Sequence, residues 1–588
     1  MPTLNWIGKE AVVNHHQQVP FHLLKDVPEL ACGNPGEGNL IVQGDNLVAL
    51  KALLPYYAGQ VKCIYIDPPY NTGNEGWAYN DNVNSPVIRE WLGKVVGKEG
   101  ETLDRHDRWL CMMYPRLVLL RQFLRKDGAI FISLDDNEIA SLRLLMDEIF
   151  GSATFCAQIT VQCNPKGRVL AQEFAKTHEY ILVYSRMPQG TLFEVTKSLD
   201  ELISDYDQID PDGRRFRLLE LRNTHRQFNK ETRPNLHFPL FADKTTGQVF
   251  INEIADGVEI FPNWPDGMKG CWTWEKAKCR EDRDDLVARA IRGTWKVFRK
   301  AYATDEFGSA VTKKPKTIWL DPDIHTEKGQ KQIDAILSGR VFYAPKAIGL
   351  IRSCIEVATN PGDLVLDSFG GSGTTGHAVL DLNKRDGGNR RFILVEMESK
   401  IARDITAERL RRVAEGYTSA KGEHVEGLGG GFRYCELGEP LFDEHGKIRD
   451  SVRFTDLARH VYFTETGEPL PLPKATHPHP NPDRTTSHST KLAEDASQVA
   501  GYLPEGEGVF SSPLLGECRG VGIYLLYNGI LGDKSANGGN VLTRAVLAQL
   551  PSFDGPKVIY CAGCLLGRDR LRAENIIVRQ TPYEIKVS

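Results

Sequence analysis

Residues 365–376 read VLDSFGGSGTTG, an apolar strand that ends at Asp367, followed by a glycine-rich turn and the start of a helix. Glycines let backbone N–H groups approach a ligand closely, and the N-terminus of a helix carries a partial positive charge. A strand, a tight turn and a helix in this order form the unit from which parallel α/β sheets are built. The stretch therefore predicts an α/β fold that holds a ligand at the end of a parallel strand.

The acids around this turn leave two ligands open. Gly371, Gly373 and Gly376 fit the G-x-G-x-x-G pattern, and Glu396 follows 396 − 376 = 20 residues later at the end of another strand. That arrangement is typical of NAD binding. Asp367 indicates a different ligand, because a carboxylate is poorly placed beside a pyrophosphate but can accept the ammonium group of an amino acid. S-adenosylmethionine has such an ammonium group and a ribose, so the turn favours it and leaves NAD as an alternative.

A second stretch, IYIDPPYNTG at 64–73, ends an apolar strand on a carboxylate. Pro68 and Pro69 stiffen the backbone after Asp67. The exocyclic amine of a nucleobase is a poor nucleophile, because its lone pair is delocalised into the ring. Asp67 and the carbonyl of Pro68 can each accept one N–H of that amine, and Tyr70 offers a flat face for an extrahelical base to stack on. The stretch therefore predicts chemistry on the amine of a flipped-out base.

Together the two stretches resemble the amino-group DNA methyltransferases, and the order of the two motifs resembles that of the β-class. Wider segments resemble the modification (Mod) subunits of type III restriction–modification systems, namely WIGKEAVVNHH, GDNLVALKAL, SLDDNE, THEYILVYSR and VFYAPKAIGLI. The resemblance implies a circularly permuted Rossmann-like, S-adenosylmethionine-dependent methyltransferase sheet of the α/β class. It also implies an inserted target-recognition domain and a homodimer that binds double-stranded DNA.

The resemblance assigns roles to individual positions. Asp67, Pro68, Pro69 and Tyr70 match the catalytic motif. The positions that match the S-adenosylmethionine site are Asp367, Phe369, Gly371, Ser372, Gly373, Thr374, Thr375 and Glu396, with Pro345 and Lys346 in the short motif that packs beside the methionine part of the cofactor. Asp in place of Ser before Pro-Pro-Tyr favours adenine N6 as the target. Cytosine N4 remains open, since both chemistries use this tetrapeptide.

Changes in sequence texture predict five segments. Apolar strands alternate with helices in two regions, which is the pattern of a parallel sheet covered on both faces. Between these regions the periodicity weakens, and charge and tryptophan content rise. The predicted segments are 1–37 (N-terminal arm), 38–186 (catalytic half of the methyltransferase domain), 187–338 (target-recognition DNA-binding insert), 339–424 (cofactor-binding half) and 425–588 (C-terminal α/β association domain with a low-complexity loop at 470–490).

Two runs of basic residues lie inside the predicted insert. Their members are Arg214, Arg215, Arg217, Arg222 and Arg226 in the first run, and Lys276, Lys278, Arg280 and Lys296 in the second. The chain has a net charge of −5, but a local basic stripe is enough to contact phosphates. We therefore predict that these side chains contact the DNA backbone and base edges.

Other features restrict the function. Twelve cysteines in 588 residues do not form a disulfide framework, and the sequence predicts neither a membrane span nor a signal peptide. A cytoplasmic location follows. Asp135, Asp136 and Glu138 come after a strand and are predicted to solvate and cap the next helix. The same three acids could also suggest a metal site, but capping is favoured and no metal is predicted.

The predicted function is site-specific transfer of a methyl group from S-adenosylmethionine to adenine N6, in the modification subunit of a restriction–modification or phage-defence system. The chain has no G-x-x-x-x-G-K-[ST] loop, so a separate ATP-dependent helicase–nuclease (Res-type) subunit would have to supply restriction. Three alternatives stay open. They are cytosine N4 methylation, a role mainly as the DNA-recognition subunit of a restriction complex, and an NAD-dependent enzyme.

Overall fold

A computed structural model describes residues 4–71, 105–167, 174–188, 192, 195–196, 199–304, 312–419, 422–471, 512–528 and 539–581. The chain divides into two compact units. One unit comprises Met1–Phe193 together with Lys316–Ser588, and the other comprises Glu194–Pro315. Most of the predicted low-complexity loop, residues 472–490, lies outside the described residues.

The strands are numbered in chain order. They are β1 (His22–Asp26), β2 (Leu40–Gln43), β3 (Val61–Ile66), β4 (Leu124–Leu134), β5 (Phe155–Gln162), β6 (His178–Ser185), β7 (Val195–Thr196), β8 (Gln208–Ile209), β9 (Arg215–Glu220), β10 (Leu240–Ala242), β11 (Val249–Phe250), β12 (Val258–Ile260), β13 (Leu286–Ile291), β14 (Thr294–Tyr302), β15 (Thr312–Lys313), β16 (Ile318–Trp319), β17 (Leu364–Asp367), β18 (Arg391–Glu396), β19 (Gly416–Thr418), β20 (His424–Glu426), β21 (Arg433–Pro440), β22 (Leu514–Cys518), β23 (Val521–Leu525), β24 (Val541–Leu542), β25 (Lys557–Cys561), β26 (Gly563–Cys564) and β27 (Ile576–Gln580).

The helices are numbered in the same way. They are α1 (Lys9–Val12), α2 (His15–Gln18), α3 (Asn46–Tyr57), α4 (Arg105–Phe123), α5 (Ile139–Met146), α6 (Leu199–Asp205), α7 (Lys276–Glu281), α8 (Thr326–Leu337), α9 (Ile348–Glu356), α10 (Thr374–Asp386), α11 (Ser399–Ile401), α12 (Glu408–Glu415), α13 (Phe454–Thr466), α14 (Arg544–Gln549) and α15 (Arg568–Ala573). Within the described part of the chain, no helix is both long enough and apolar enough to cross a bilayer.

The first unit is built on a ten-stranded sheet in the order β1-β21-β2-β18-β17-β3-β4-β6-β5-β16. The six strands from β21 to β4 run parallel to one another, and β6 runs antiparallel to both of its neighbours. The central strands are buried and apolar, as expected of a parallel sheet that is covered on both faces. The predicted α/β class is confirmed. The strand of the Asp-Pro-Pro-Tyr motif, β3, precedes that of the glycine-rich turn, β17, as a permuted sheet requires.

The ten-stranded sheet draws on segments that the sequence assigned elsewhere. Strand β21 lies in the predicted C-terminal domain, yet it pairs with β1 of the predicted N-terminal arm and with β2. Strand β16 lies in the predicted insert, yet it pairs with β5. The sheet therefore extends beyond 38–186 and 339–424, and the five predicted boundaries stay predictions.

The second unit has its own small core. A four-stranded antiparallel sheet, β13-β14-β9-β8, and a three-stranded sheet, β11-β10-β12, bury a cluster around Leu240 and Trp272. Trp272 donates its indole N–H to the carbonyl of Phe238 at 2.8 Å and is almost fully buried. This tryptophan is therefore a core residue of the unit.

The C-terminal part of the first unit carries a four-stranded sheet, β22-β23-β25-β27. Its core includes residues of α13 and also Phe21, next to strand β1. Its last strand is β27, and residues 582–588 lie outside the described residues. This sheet contains no residue of the two sequence motifs.

Candidate active site

The two sequence motifs meet at one edge of the large sheet. Strands β3 and β17 are parallel neighbours, with Cys63 opposite Val365 and Ile64 opposite Leu366. Asp67 follows the carboxyl end of β3, and Asp367 is the last residue of β17. Residues 300 positions apart in the chain (367 − 67 = 300) are thus brought to the same place, where ligands bind in open α/β sheets.

A cavity of about 860 Å³ opens at this edge. Of the predicted catalytic and cofactor residues, all line it except Gly373 and Glu396; those that do are Asp67, Pro68, Pro69, Tyr70, Pro345, Lys346, Asp367, Phe369, Gly371, Ser372, Thr374 and Thr375. The cavity lies within the first unit and is large enough for a drug-sized ligand. The motif residues therefore surround one shared space.

The side chain of Asp67 is 29% exposed, but its Oδ1 atom is buried. Burial raises its pKa to about 6, while the ammonium of Lys346 opposes that shift and Glu179 adds to it. The Oδ1 atom of Asp67 lies 3.5 Å from Nζ of Lys346. The group is therefore largely ionised at neutral pH and able to accept hydrogen bonds.

The two prolines after Asp67 are held by a tryptophan from α4. Trp109 is fully buried and donates its indole N–H to the carbonyl of Pro69 at 2.7 Å. Since an indole N–H can only donate, this bond fixes the orientation of one peptide in the tetrapeptide. Asp67 and Tyr70, on either side of the prolines, are positioned by the same contact.

Lys346 lies against the Asp-Pro-Pro-Tyr motif. Its ammonium donates to the hydroxyl of Tyr70 at 2.5 Å and to Oε2 of Glu179 at 2.6 Å. The sequence had assigned Lys346 to the methionine end of the cofactor, so its contacts with Asp67 and Tyr70 were not predicted. Glu179, the second residue of β6, was not singled out, because a charged residue at the start of an apolar strand does not reveal its partners.

Asp367 is held by the turn that it precedes. Its Oδ2 accepts the hydroxyl of Thr375 at 2.5 Å, and its Oδ1 accepts the N–H of Phe369 at 2.9 Å. Burial raises its pKa to about 7 despite these two donors. The carboxylate therefore organises the turn and remains a place where a cationic group would be favoured.

Glu396 supports the same turn from β18. Its Oε2 accepts the N–H of Gly371 at 2.7 Å, and its Oε1 accepts the N–H of Glu398 at 2.9 Å. The side chain is buried, and desolvation raises its pKa to about 7. Glu396 lies behind the cavity wall, so its predicted contact with a ribose stays a prediction.

The turn needs its glycines. Gly371 and Gly373 have φ values of 49° and 76°, which side-chain-bearing residues rarely adopt. Gly373 caps α10, whose first residues Thr374 and Thr375 face the cavity. A helix N-terminus with close backbone N–H groups favours an anionic group, such as an amino-acid carboxylate. Together with Asp367, the turn offers complementary charges to both ends of a zwitterion.

The geometry of this cavity agrees with the protein family that the chain matches. Residues 61–408 match the DNA methylase family N6_N4_Mtase. The protein belongs to this family. The matched segment contains every catalytic and cofactor position predicted from the sequence, and it spans both compact units.

Two characterised relatives share much of the chain. The type III restriction-modification enzyme EcoPI Mod subunit of Escherichia phage P1 is 34% identical over 68% of this chain and 64% of its own length. The type II methyltransferase M.KpnI of Klebsiella pneumoniae is 32% identical over 65% of this chain and 89% of its own length. The chain therefore spans less than two thirds of the EcoPI Mod subunit but most of M.KpnI.

A solved structure is also similar. It is a putative DNA modification methylase from Thermus thermophilus complexed with S-adenosyl-L-methionine, 14% identical, covering 67% of this chain and 98% of that chain with a TM-score of 0.29. A score this low supports no argument about residues.

Two residues that support the turn were not predicted from the sequence. Arg409 of α12 is fully buried, and its guanidinium donates to the carbonyl of Ser372 at 3.1 Å and to the hydroxyl of Thr374 at 2.8 Å. Thr406 donates its hydroxyl to the carbonyl of Gly371 at 2.6 Å. Burial lowers the pKa of Arg409 to about 9. A buried cation beneath the turn adds to its positive potential.

One of the three acids after β4, Glu138, has a different role from the one predicted. Glu138 is fully buried, makes no side-chain capping bond to α5, and instead accepts hydrogen bonds from Asn71 and, at 2.6 Å, from His106. The prediction that Glu138 solvates the helix was wrong, because its side chain is buried beside Asn71, which directly follows the Asp-Pro-Pro-Tyr motif. Asp135 does bond the backbone N–H of Asn137 at 2.9 Å.

The nine predicted DNA-binding residues lie in the second unit and do not form one uncompensated patch. Five have a carboxylate within 4.0 Å, in the pairs Arg214–Asp210, Arg222–Glu220, Arg226–Asp266, Lys278–Asp282 and Lys296–Glu220. Arg215 and Arg217 are half-buried, whereas Lys276 and Arg280 are exposed on α7. Arg222 is buried against the ring of Trp264 at 3.8 Å, as a structural residue would be.

Proposed function

We propose that this protein is a site-specific DNA methyltransferase that uses S-adenosylmethionine and acts on the N6 amine of a flipped-out adenine. The observation that carries the proposal is the convergence of Asp67-Pro-Pro-Tyr and the glycine-rich turn on one cavity at adjacent strand ends. An NAD-dependent function explains the turn but leaves Asp67 and Tyr70 without a task. The family match adds weight to methyl transfer.

The residues of the turn fit S-adenosylmethionine. When bound, this cofactor supplies an electrophilic methyl group. Asp367 would face its ammonium group, and the N–H groups at the start of α10 would face its carboxylate. Phe369, Ser372 and Thr374 would line its walls. Any side chain at Gly371 or Gly373 would need a strained backbone, so glycine keeps the path of this turn beside the cavity.

The catalytic tetrapeptide prepares the amine. Asp67 accepts one N–H of the target base, and the carbonyl of Pro68 accepts the other. These two bonds draw the nitrogen toward tetrahedral geometry and aim its lone pair. Tyr70 stacks on the base, an interaction worth about 1–3 kcal/mol. Trp109 holds the adjoining peptide in place through the carbonyl of Pro69.

We propose that exposed cations of the second unit contact DNA phosphates. Arg226 and Lys278 have side chains that are 57% and 52% exposed, and their partners are surface carboxylates. Exposed ion pairs contribute about 0–1 kcal/mol, so either partner can be exchanged for a phosphate at little cost. Arg222 is excluded from this role by its burial between Glu220 and Trp264.

Methylation-sensitive long-read sequencing tests the reaction. DNA from cells that express the protein is expected to carry N6-methyladenine at one short sequence motif, and DNA from cells that express Asp67→Ala, which lacks the acceptor, is expected to carry none. Methylation of cytosine N4 at the motif would establish the alternative base. Identical, unmodified DNA from both strains, together with verified expression, would contradict the proposal.

We also propose that the protein is a homodimer, as the resemblance to Mod subunits implies, and that a Res-type subunit joins it on DNA in the cytoplasm. The C-terminal sheet, which has no catalytic task, is the proposed association region, with Leu565 and Ile577 exposed by 70% and 55%. Light scattering is expected to give about twice the chain mass of 65.8 kDa. A mass near one chain across micromolar concentrations would contradict the dimer.

A further inference from the structure

The ammonium of Lys346 contacts three acceptors from two other elements. It lies 2.5 Å from the hydroxyl of Tyr70, 2.6 Å from Oε2 of Glu179 and 3.5 Å from Oδ1 of Asp67. The contacts with Tyr70 and Glu179 are hydrogen bonds, whereas the contact with Asp67 is an ion pair that leaves Oδ1 of Asp67 without a hydrogen-bond donor among the described residues. The side chains of Lys346 and Glu179 are only 11% and 16% exposed, which limits competition from water.

Tyr70 is held at its hydroxyl by the same pair. The hydroxyl accepts from Lys346 and donates to Oε2 of Glu179 at 2.9 Å, so Tyr70, Lys346 and Glu179 form a closed triangle. Nζ of Lys346 also lies 4.6 Å from the centre of the Tyr70 ring. The face on which a base would stack is therefore fixed by residues outside the tetrapeptide.

The charges of Lys346 and Glu179 also affect the pKa of Asp67. Ionised Asp67 is a stronger acceptor for an N–H of the amine than protonated Asp67, but burial and the charge of Glu179 both raise its pKa. Lys346 is the cation that lowers the pKa of Asp67, and it leaves that pKa at about 6. Without the ammonium, a larger fraction of Asp67 would be protonated at neutral pH.

We propose that Lys346 and Glu179 are positioning residues for methyl transfer: Lys346 keeps Asp67 charged, and the two together fix the Tyr70 ring. This inference rests on the proposed function, because it assigns their task in that reaction. Neither residue needs to touch the methyl donor. Glu179 has two opposing effects. Its carboxylate accepts a hydrogen bond from Lys346 and so holds the ammonium in place, and its negative charge opposes the ionisation of Asp67.

Several other titratable groups near Asp67 also influence its pKa. The titratable and charged groups that interact with it are Tyr65 of β3, Tyr70, Asp367 of β17, Glu179 of β6 and Lys346, while Cys163 beside β5 interacts with Glu179 and Lys346. Asp367 and Glu179 carry the same sign of charge as Asp67. Lys346 is the cation in this set, so its removal is expected to raise the pKa of Asp67.

Single-turnover rates measured against pH test the inference. The substrate is unmethylated plasmid DNA from a strain that lacks adenine and cytosine DNA methylation, with tritiated S-adenosylmethionine and enzyme in excess. Single turnovers exclude product release from the measured rate. The rate of the wild-type protein is expected to fall as pH drops through the pKa of Asp67.

The variants Lys346→Met and Glu179→Gln are expected to shift the low-pH fall of the rate, called here the acid limb, in opposite directions. Lys346→Met should shift it to higher pH by about 1–3 units, because an opposite charge at this range lowers a carboxylate pKa by that amount. At pH 7 the rate should fall roughly 2- to 100-fold. Glu179→Gln removes a negative charge but keeps an acceptor, so its limb should move to lower pH.

Controls separate positioning from folding. Lys346→Arg should restore part of the rate and the position of the limb, and Lys384→Met, at an exposed surface pair with Glu426, should leave both unchanged. Coincident acid limbs in wild-type protein, Lys346→Met and Glu179→Gln, with active wild-type protein, would overturn this inference alone. A wild-type protein that transfers no methyl group to DNA would overturn the proposed function and this inference with it.

Discussion

Replacing Asp67 with alanine is expected to abolish methyl transfer, with a loss in single-turnover rate on the order of 10²-fold or more. The carboxylate sits after β3 with its Oδ1 buried and faces Lys346 at 3.5 Å. Alanine removes the acceptor that activates the amine but adds no bulk. Binding of S-adenosylmethionine and DNA should therefore persist, as isothermal titration and filter binding would show.

A matched variant makes this result specific. Asp136 follows the neighbouring strand β4, is 44% exposed and pairs with Lys176, so Asp136→Ala removes an acid from a similar position in the sheet. It should transfer methyl groups at close to the wild-type rate. Near-normal turnover by Asp67→Ala would contradict the assignment of the tetrapeptide. Loss of cofactor binding in Asp67→Ala would instead show that the variant disturbs the whole cavity.

The two motifs could be predicted from the sequence because each is continuous in the chain. An apolar strand that stops at Asp67, or at Asp367, defines its own end, and the following residues define a turn. Because neighbouring parallel strands run in the same direction, their carboxyl ends lie next to each other, and so do the two turns that follow them. The cavity follows from these local features and from the pairing of β3 with β17.

Glu179 and Lys346 could not be placed in this way. Glu179 begins an apolar strand and resembles an ordinary edge residue until β6 is known to pair with β4 and β5. Lys346 precedes α9, and only the fold decides whether its long side chain reaches the cofactor or Tyr70. Both roles depend on contacts between segments more than 100 residues apart.

Arg409 and β21 show the same limit in different forms. Helix α12 has several arginines with the same local pattern, and burial alone singles out Arg409 beneath the turn. Strand β21 contains glycine, proline and charged residues, so its sequence does not suggest membership of a parallel sheet. Its neighbours β1 and β2 supply the pairing that its own sequence does not indicate.

Gly373→Val is expected to weaken S-adenosylmethionine binding by roughly 5- to 150-fold, the equivalent of about 1–3 kcal/mol of backbone strain. Gly373 has φ of 76°, and a Cβ there would lie 3.1 Å from Cγ2 of Thr406. Thr406 cannot easily move, because its hydroxyl holds the carbonyl of Gly371. Relief of the strain must therefore displace the turn.

The other end of the same helix supplies the control for Gly373→Val. Gly387 caps α10 at its C-terminus with φ of 68°, and a Cβ there would meet nothing within 4 Å. Gly387→Val therefore imposes similar backbone strain without touching the turn, and it should lower Tm while leaving the Kd for S-adenosylmethionine unchanged. Equal Kd values for both variants and the wild-type protein, measured by isothermal titration, would place the cofactor away from this turn. Weaker binding in Gly373→Val alone ties cofactor affinity to the backbone path between Gly371 and Thr374, because strain at the two helix ends is matched and only one end faces the cavity.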